Sequence, residues 1–198
     1  MIKYLLAIML VLVGCGGTPK LSHLPPDAVV LAFGDSLTYG TGVAEADSYP
    51  AVLEGLIGRK VVRSGVPGEV TADSLARLPT VLDEANPKLM VLCIGGNDIM
   101  RRMSEQQAAD NIRAMVRLAK SKGVDVVLVG VPQLGITMSA PAFYADIAKE
   151  FKLPYEIEVM RKIFLSKDLK SDEVHPNAQG YKLFAEAVAA LLKKAGAV

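Results

Sequence analysis

The chain has 198 residues, enough for one domain with a full hydrophobic core. Hydrophobic residues make up 51% of it, charged residues 22%, and the formal net charge is +1, so nothing points to a nucleic-acid partner or a strongly acidic one. The sequence has no Walker-type glycine-rich loop, no cysteine and histidine cluster at metal-ligand spacing, and no repeat of about 20 to 50 residues. We therefore expect no cofactor, neither a nucleotide nor a metal.

The N-terminus predicts export from the cytoplasm. Met1–Lys3 is positively charged, and the apolar run Tyr4–Val13 is shorter than the about 20 residues that a membrane-spanning helix needs. Residues 1–14 are therefore predicted to be a signal peptide. The sequence Leu12–Cys15 is similar to a bacterial lipobox, in which the cysteine is acylated; the alternative is an ordinary signal peptide with an incidental cysteine.

Residues 15–27 are predicted to be a lipidated tether that carries the domain over residues 28–198. Three prolines interrupt this stretch, and its apolar positions are not periodic. Acyl chains on Cys15 would hold the protein on a membrane, facing the periplasm or on the cell surface. The other cysteine, Cys93, lies in an apolar run and is expected to pack in the core.

Short apolar runs rich in β-branched residues predict strands at Val29–Phe33, Lys60–Val62, Leu89–Ile94 and Val124–Val129, with a weaker one near Leu153–Ile157. Helical patterns lie between them. This alternation is typical of a parallel sheet covered by helices on both faces, so we predict a three-layer α/β/α sandwich.

Two helices are clear from the pattern. The first is predicted over Ser104–Lys120, with Ser104 and Gln107 as a capping box and Gly123 as the stop signal. The last is predicted over roughly Ala178–Lys194, where an apolar stripe should face the core.

A serine stands where the first apolar run ends, in the sequence Gly34-Asp35-Ser36. A side chain at the carboxyl end of a parallel strand lies in the crevice that ligands of open α/β sheets use. A serine hydroxyl alone is a weak nucleophile and needs a base and oxyanion donors. Ser36 is therefore a candidate nucleophile, and the alternative is a helix N-cap. Asp35 is expected to shape the turn and to transfer no proton.

Two downstream motifs contain groups of the required types. Gly95–Asp98 follows the third predicted strand, and its Asn97 amide could donate to an oxyanion or shape a turn. Asp172 and His175 stand three residues apart, so the carboxylate can orient one ring nitrogen while the other faces a serine. The alternative is an exposed sequence before a helix.

These motifs together resemble the SGNH (GDSL-type) esterase and lipase family over nearly all of Val29–Leu192. The run from Ser36 through Ala76–Pro79 and Gly95–Asp98 is most similar to the bacterial thioesterase, lysophospholipase and arylesterase group. The resemblance implies a flavodoxin-like sheet of five parallel strands in the order 2-1-3-4-5.

The resemblance also assigns roles at the site. It implies a catalytic triad of Ser36, Asp172 and His175. The oxyanion hole would consist of the backbone amides of Ser36 and Gly68 and the side chain of Asn97.

The sequence departs from the family pattern beside Gly68. The family commonly has asparagine where Arg63 stands and threonine where Val70 stands. The hydrogen bonding of this loop is therefore expected to differ, and the alternative for Gly68 is a simple turn residue.

The implied function is that of a serine esterase that hydrolyses carboxylic esters or thioesters through an acyl-serine, as an arylesterase, acyl thioesterase or lysophospholipase. The alternatives are a polysaccharide or peptidoglycan O-acetylesterase and a non-catalytic lipoprotein that binds a ligand. The expected partners are a small-molecule or lipid ester and the membrane, and the protein is expected to be a monomer. Residues 131–138 with Phe143 and Tyr144 are candidates for an acyl pocket; alternatively, these two aromatic residues pack a helix against the sheet.

Overall fold

A computed structural model describes residues 17–133, 135 and 138–198. The predicted signal peptide and Cys15 lie outside the described residues, as do Leu134, Ile136 and Thr137 of the predicted acyl-pocket segment. In the part of the chain that is described, no helix is both long enough and apolar enough to cross a bilayer.

Five parallel strands form one sheet in the order β2-β1-β3-β4-β5, which confirms the predicted flavodoxin-like arrangement. The strands are β1 (Val29–Gly34), β2 (Lys60–Gly65), β3 (Leu89–Cys93), β4 (Asp125–Val129) and β5 (Tyr155–Glu156). Every residue of the three inner strands is buried except Val29 and Asp125, which begin β1 and β4, because helices cover both faces of the sheet.

Helices lie between and after the strands, as predicted. They are α1 (Ser36–Tyr39), α2 (Tyr49–Ile57), α3 (Thr71–Ala85), α4 (Gly96–Met100), α5 (Glu105–Ser121), α6 (Ala142–Phe151), α7 (Glu158–Leu165) and α8 (Ala178–Ala195). Helix α2 packs against α8, and α3 packs against α5. These two pairs belong to the helical layers that enclose the core of the sandwich.

Helix α5 begins one residue later than predicted, with Ser104 as its N-cap. The Ser104 hydroxyl accepts a hydrogen bond from the Gln107 amide at 3.3 Å. The predicted capping box is only half formed, because the Gln107 side chain donates to Asn111 (3.0 Å) instead of reaching back to Ser104.

The predicted tether is docked on the fold over part of its length. The Leu21 amide donates to the Ala195 carbonyl at 3.0 Å, and the Leu24 amide donates to the Ala197 carbonyl at 2.8 Å. The Leu24 side chain is only 1% exposed. Two leucines in an irregular segment have no period that separates them from a linker, so the sequence pattern does not reveal these contacts.

Candidate active site

The structure brings together Ser36, the first residue of α1, and His175, which precedes α8. The Ser36 Oγ lies 3.0 Å from the His175 Nε2, although the two residues are 139 positions apart. The His175 Nδ1 lies 2.7 Å from the Asp172 Oδ2. Because a carboxylate only accepts, the ring proton sits on Nδ1, and Nε2 is left as an acceptor for the serine hydroxyl.

A tight turn fixes the Asp172 carboxylate. Its Oδ1 accepts hydrogen bonds from the backbone amides of Val174 (2.9 Å) and His175 (2.8 Å). Burial favours a raised pKa for this carboxyl, but the hydrogen bonds from the His175 ring and the two amides outweigh it and hold the pKa below the usual 3.8. Asp172 is therefore an ionised acceptor that orients the imidazole.

Asp35, and not Ser36, caps helix α1. The Asp35 Oδ1 accepts from the Leu37 amide at 3.1 Å, so the N-cap alternative for Ser36 is wrong, and the serine hydroxyl remains available to His175. The turn before it requires glycine, because a Cβ at Gly34 would lie 1.9 Å from the Cys93 carbonyl oxygen. Ser36 therefore lies in the crevice at the end of β1, after a turn that packs closely against β3.

Asp35 is also the most perturbed carboxyl of the site. It is 1% exposed, and burial raises its pKa from 3.8 to about 7. The hydrogen bond from Leu37 works against this rise, and the nearby Glu69 and Asp98 carboxylates add to it.

This burial makes a testable contribution to stability. The folded protein keeps a proton on Asp35 between about pH 4 and pH 7, whereas the unfolded chain releases it, so the contribution of Asp35 to the unfolding free energy falls across this range by about 4 kcal/mol. The Asp35→Asn variant should lose this contribution to the pH dependence, and urea denaturation at a series of pH values measures it. Asp146→Asn, on the exposed surface of α6, is the control and should leave the profile unchanged. An Asp35→Asn profile parallel to that of the wild type would contradict the assignment.

Asn97 enters the same crevice from α4, the helix that follows β3. Its Nδ2 donates to the Glu69 carbonyl at 2.9 Å and to the Asp35 Oδ2 at 3.3 Å. The amide is therefore held between the loop after β1 and the loop after β2. A neutral amide held in this way can donate to an alkoxide without being able to take a proton from the serine.

Gly68 lies in the loop after β2, next to the Glu69 carbonyl that holds Asn97. Its φ of 78° is in the left-handed region that favours glycine. Its carbonyl accepts a hydrogen bond from the Arg101 Nη2 at 2.8 Å. The structure thus places the Gly68 loop against Asn97, but Gly68 is not among the residues that line the crevice.

Residues 32–183 match the profile of the GDSL-like lipase/acylhydrolase family. The chain belongs to this family. The esterase TesA of Pseudomonas aeruginosa is 32% identical over 127 residues. These residues make up 62% of this chain and 63% of that enzyme, so the match spans somewhat less than two thirds of the length of TesA. The thioesterase 1/protease 1/lysophospholipase L1 of Escherichia coli is 27% identical over 172 residues, 83% of each chain. A crystal structure of TesA has the same fold, with a TM-score of 0.74 at 24% identity, over 84% of this chain and 99% of that one.

The two departures from the GDSL family pattern have separate structural roles. Arg63 pairs with Glu45 (2.9 Å) and donates to the Tyr39 carbonyl, so it anchors the end of α1. Beside Val70, the Thr71 hydroxyl donates to the Asp98 Oδ1 at 2.6 Å. A threonine one position later thus joins this loop to α4, the helix that carries Asn97.

A partly buried ion pair between Glu69 and Arg77 supports the Gly68 loop on the side away from the crevice. The Arg77 Nε lies 2.6 Å from the Glu69 Oε1, and the Glu69 carboxylate also accepts from the Ser74 hydroxyl. The guanidinium donates to the Gly34 carbonyl (3.1 Å) and to the Ser64 carbonyl (3.2 Å). Arg77 therefore connects the ends of β1 and β2. The sequence assigned neither residue a positioning role, because the carbonyls that Arg77 holds lie 43 and 13 positions away.

The crevice of this GDSL-family chain combines the polar groups with apolar walls. It is partly open to solvent and has a cavity volume of about 30 Å³. The walls are formed by Leu37, Met100, Val131, Pro132, Phe164 and Val174. Val131 and Pro132 of the predicted acyl-pocket segment line the crevice. Met100 and Phe164 also line it, but no sequence pattern predicted them as pocket residues.

Phe143 and Tyr144 pack helix α6 against the sheet, which is the alternative to their predicted role in an acyl pocket. Tyr144 is fully buried, and its hydroxyl donates to the Ile94 carbonyl at 2.7 Å. The Phe143 ring packs against it at a centroid distance of 4.3 Å. Among the described residues, no group of three or more His, Cys, Asp or Glu side chains could hold a metal ion.

Proposed function

We propose that this chain hydrolyses carboxylic esters or thioesters through an acyl intermediate on Ser36. The observation that carries the proposal is the continuous chain of contacts from the Ser36 Oγ through His175 to Asp172, at 3.0 Å and 2.7 Å, in a crevice open to solvent. Family membership and the names of the two relatives, an esterase and a thioesterase/lysophospholipase, support it.

In the proposed reaction, His175 Nε2 takes the hydroxyl proton while the Ser36 Oγ bonds to the carbonyl carbon. The tetrahedral intermediate collapses as His175 returns that proton to the leaving oxygen or sulfur, and an acyl-serine remains. Water then attacks the acyl group with the same proton transfers, which releases the acid and restores the serine. Asp172 keeps its charge throughout and stabilises the imidazolium.

The negative oxygen of the intermediate needs donors on the side of Asn97. We assign this role to the Asn97 side chain and the Ser36 backbone amide, which line the crevice, and, on the family resemblance alone, to the backbone amide of Gly68 in the neighbouring loop. The 3.3 Å contact from Asn97 to Asp35 is the longer of its two bonds, so it is the one that the substrate oxygen would replace. One such donor typically lowers the barrier by about 3 kcal/mol.

A series of p-nitrophenyl esters of increasing acyl length tests the proposal on the chain from Gly17 onward. We expect saturable hydrolysis, and covalent labelling of Ser36 by an alkyl fluorophosphonate that competes with the ester. The labelled residue is identified by peptide mass spectrometry. Labelling at another residue, or no hydrolysis of any ester, would refute the proposed function.

We further propose that Cys15 is the lipidated N-terminus of the mature protein and holds it on a membrane outside the cytoplasm. The positive start, the short apolar run and the sequence around Cys15 support this. The wild type should then fractionate with membranes. Cys15→Ser should either remain unprocessed or appear in the soluble fraction. A mature N-terminus without lipid in mass spectrometry contradicts this proposal and leaves the esterase proposal intact.

A further inference from the structure

The active site and the point where the chain enters the fold lie at opposite ends of the domain. Ser36 follows β1, and His175 precedes α8. At the other end, Leu21 is bonded to Ala195, the last residue of α8. Helix α8 has 18 residues, so about 27 Å separates its two ends.

The entering segment is fixed at this far end by several contacts. Besides the backbone bonds of Leu21 and Leu24, the Ser22 amide donates to the Asp125 Oδ2 at 2.9 Å. The Leu24 carbonyl accepts from the Arg59 Nε and Nη2 at 3.1 Å and 3.0 Å. With its Leu24 side chain buried, this segment is part of the domain and not free to swing around it.

The chain between Cys15 and Leu21 is too short to compensate. These residues are six positions apart, and six residues reach at most about 21 Å when fully extended. Thr18 and Pro19 also line a groove beside Leu191 and Lys194, which shortens the free chain further. If the crevice faced the bilayer, a lipid on Cys15 could not reach that bilayer, because the free chain is shorter than helix α8.

The charge at the far end suits an anionic lipid surface. Several exposed lysines lie at the end of the domain around Leu21 and Ala195, where helices end and strands begin. They are Lys20, Lys60, Lys88, Lys152, Lys193 and Lys194. At the same end, two exposed carboxylates have no partner among the described residues. They are Asp27 and Glu84. Lysines at helix C-termini are favourable for the helix itself, and the same residues are attracted to anionic headgroups.

We propose that the end of the domain around Leu21 and Ala195 faces the anchoring bilayer, and that the crevice takes ester substrates from the aqueous space beyond it, not lipids of that bilayer. The inference rests on the proposed esterase activity and on acylation of Cys15. It narrows the substrate class to esters that reach the protein from the side away from its anchor.

Energy transfer on the lipidated full chain in anionic vesicles tests the orientation without using activity. A fluorophore is attached to Lys60→Cys at the anchor end or to Met103→Cys, which lies between α4 and α5 at the crevice end. Cys93 is fully buried and Cys15 is acylated, so the introduced thiol is the one labelled. We expect several-fold stronger transfer to labelled headgroups from position 60 than from position 103. Equal transfer, or stronger transfer from position 103, overturns the proposal.

A lengthened tether tests the consequence for substrates. About 30 Gly/Ser residues inserted between Gly17 and Thr18 would add an average reach of about 30 Å. The wild type and this variant should hydrolyse a soluble p-nitrophenyl ester equally. On a fluorogenic phospholipid ester in their own vesicle, the variant should be about tenfold faster or more, because only it spans the distance. A measurable wild-type rate on that lipid, as high as that of the variant, overturns the proposal; loss of the soluble activity in both refutes the esterase assignment instead.

Discussion

Replacing Ser36 with alanine is expected to lower kcat for ester hydrolysis by about 10⁵- to 10⁶-fold, the loss seen when a catalytic serine is removed from a triad. The substitution removes the oxygen that would form the acyl bond. Helix α1 should persist, because Asp35 supplies its cap through the Leu37 amide. Burst kinetics with a p-nitrophenyl ester, combined with circular dichroism, separate loss of chemistry from loss of fold.

A serine remote from the crevice provides the control. The Ser121 hydroxyl donates to the Leu118 carbonyl at the C-terminal end of α5, on an exposed surface. Ser121→Ala should keep wild-type kcat and KM. Substantial turnover by a folded Ser36→Ala protein, after contaminating esterases have been removed, would end the nucleophile assignment.

Replacing His175 with alanine should be as damaging as the loss of Ser36, whereas Asp172→Ala should cost about 10⁴-fold in kcat. The difference follows from the contacts: His175 alone touches the serine hydroxyl, and Asp172 acts through His175.

The order of these two effects is the decisive measurement. An Asp172→Ala loss larger than that of His175→Ala would mean that the carboxylate itself handles the proton. Lys167→Ala, on the exposed surface just before this loop, is the control and should leave kcat and its pH profile unchanged.

The sheet was predictable where burial left a continuous apolar run. Strands β1, β3 and β4 are covered on both faces, so continuous apolar runs mark their positions in the sequence. The edge strand β2 runs three residues past its predicted end, because Arg63 and Ser64 keep pairing with β1 although they are polar. A polar residue on a sheet edge looks like a loop residue in the sequence.

The site was predictable to the extent that its chemistry depends on rare residue types in short motifs. The spacing of Asp172 and His175, together with the resemblance to the GDSL family, predicted the contact with Ser36. Residues that act through long-range packing were not predictable. The position of Phe164 in the crevice wall, like the bonds from Arg77 to the Gly34 and Ser64 carbonyls, depends on which helix lies beside which loop, and no local pattern contains that information.

The position of Arg77 ties catalysis to cooperative unfolding. One guanidinium holds the carbonyls of Gly34 and Ser64 and the carboxylate of Glu69, so the turn that presents Ser36 and the loop that holds Asn97 share a single support in α3. Neither part can open locally without breaking bonds to the other, and both rest on the central strands. Ser36 and Asn97 should therefore keep their relative positions up to the global melting transition.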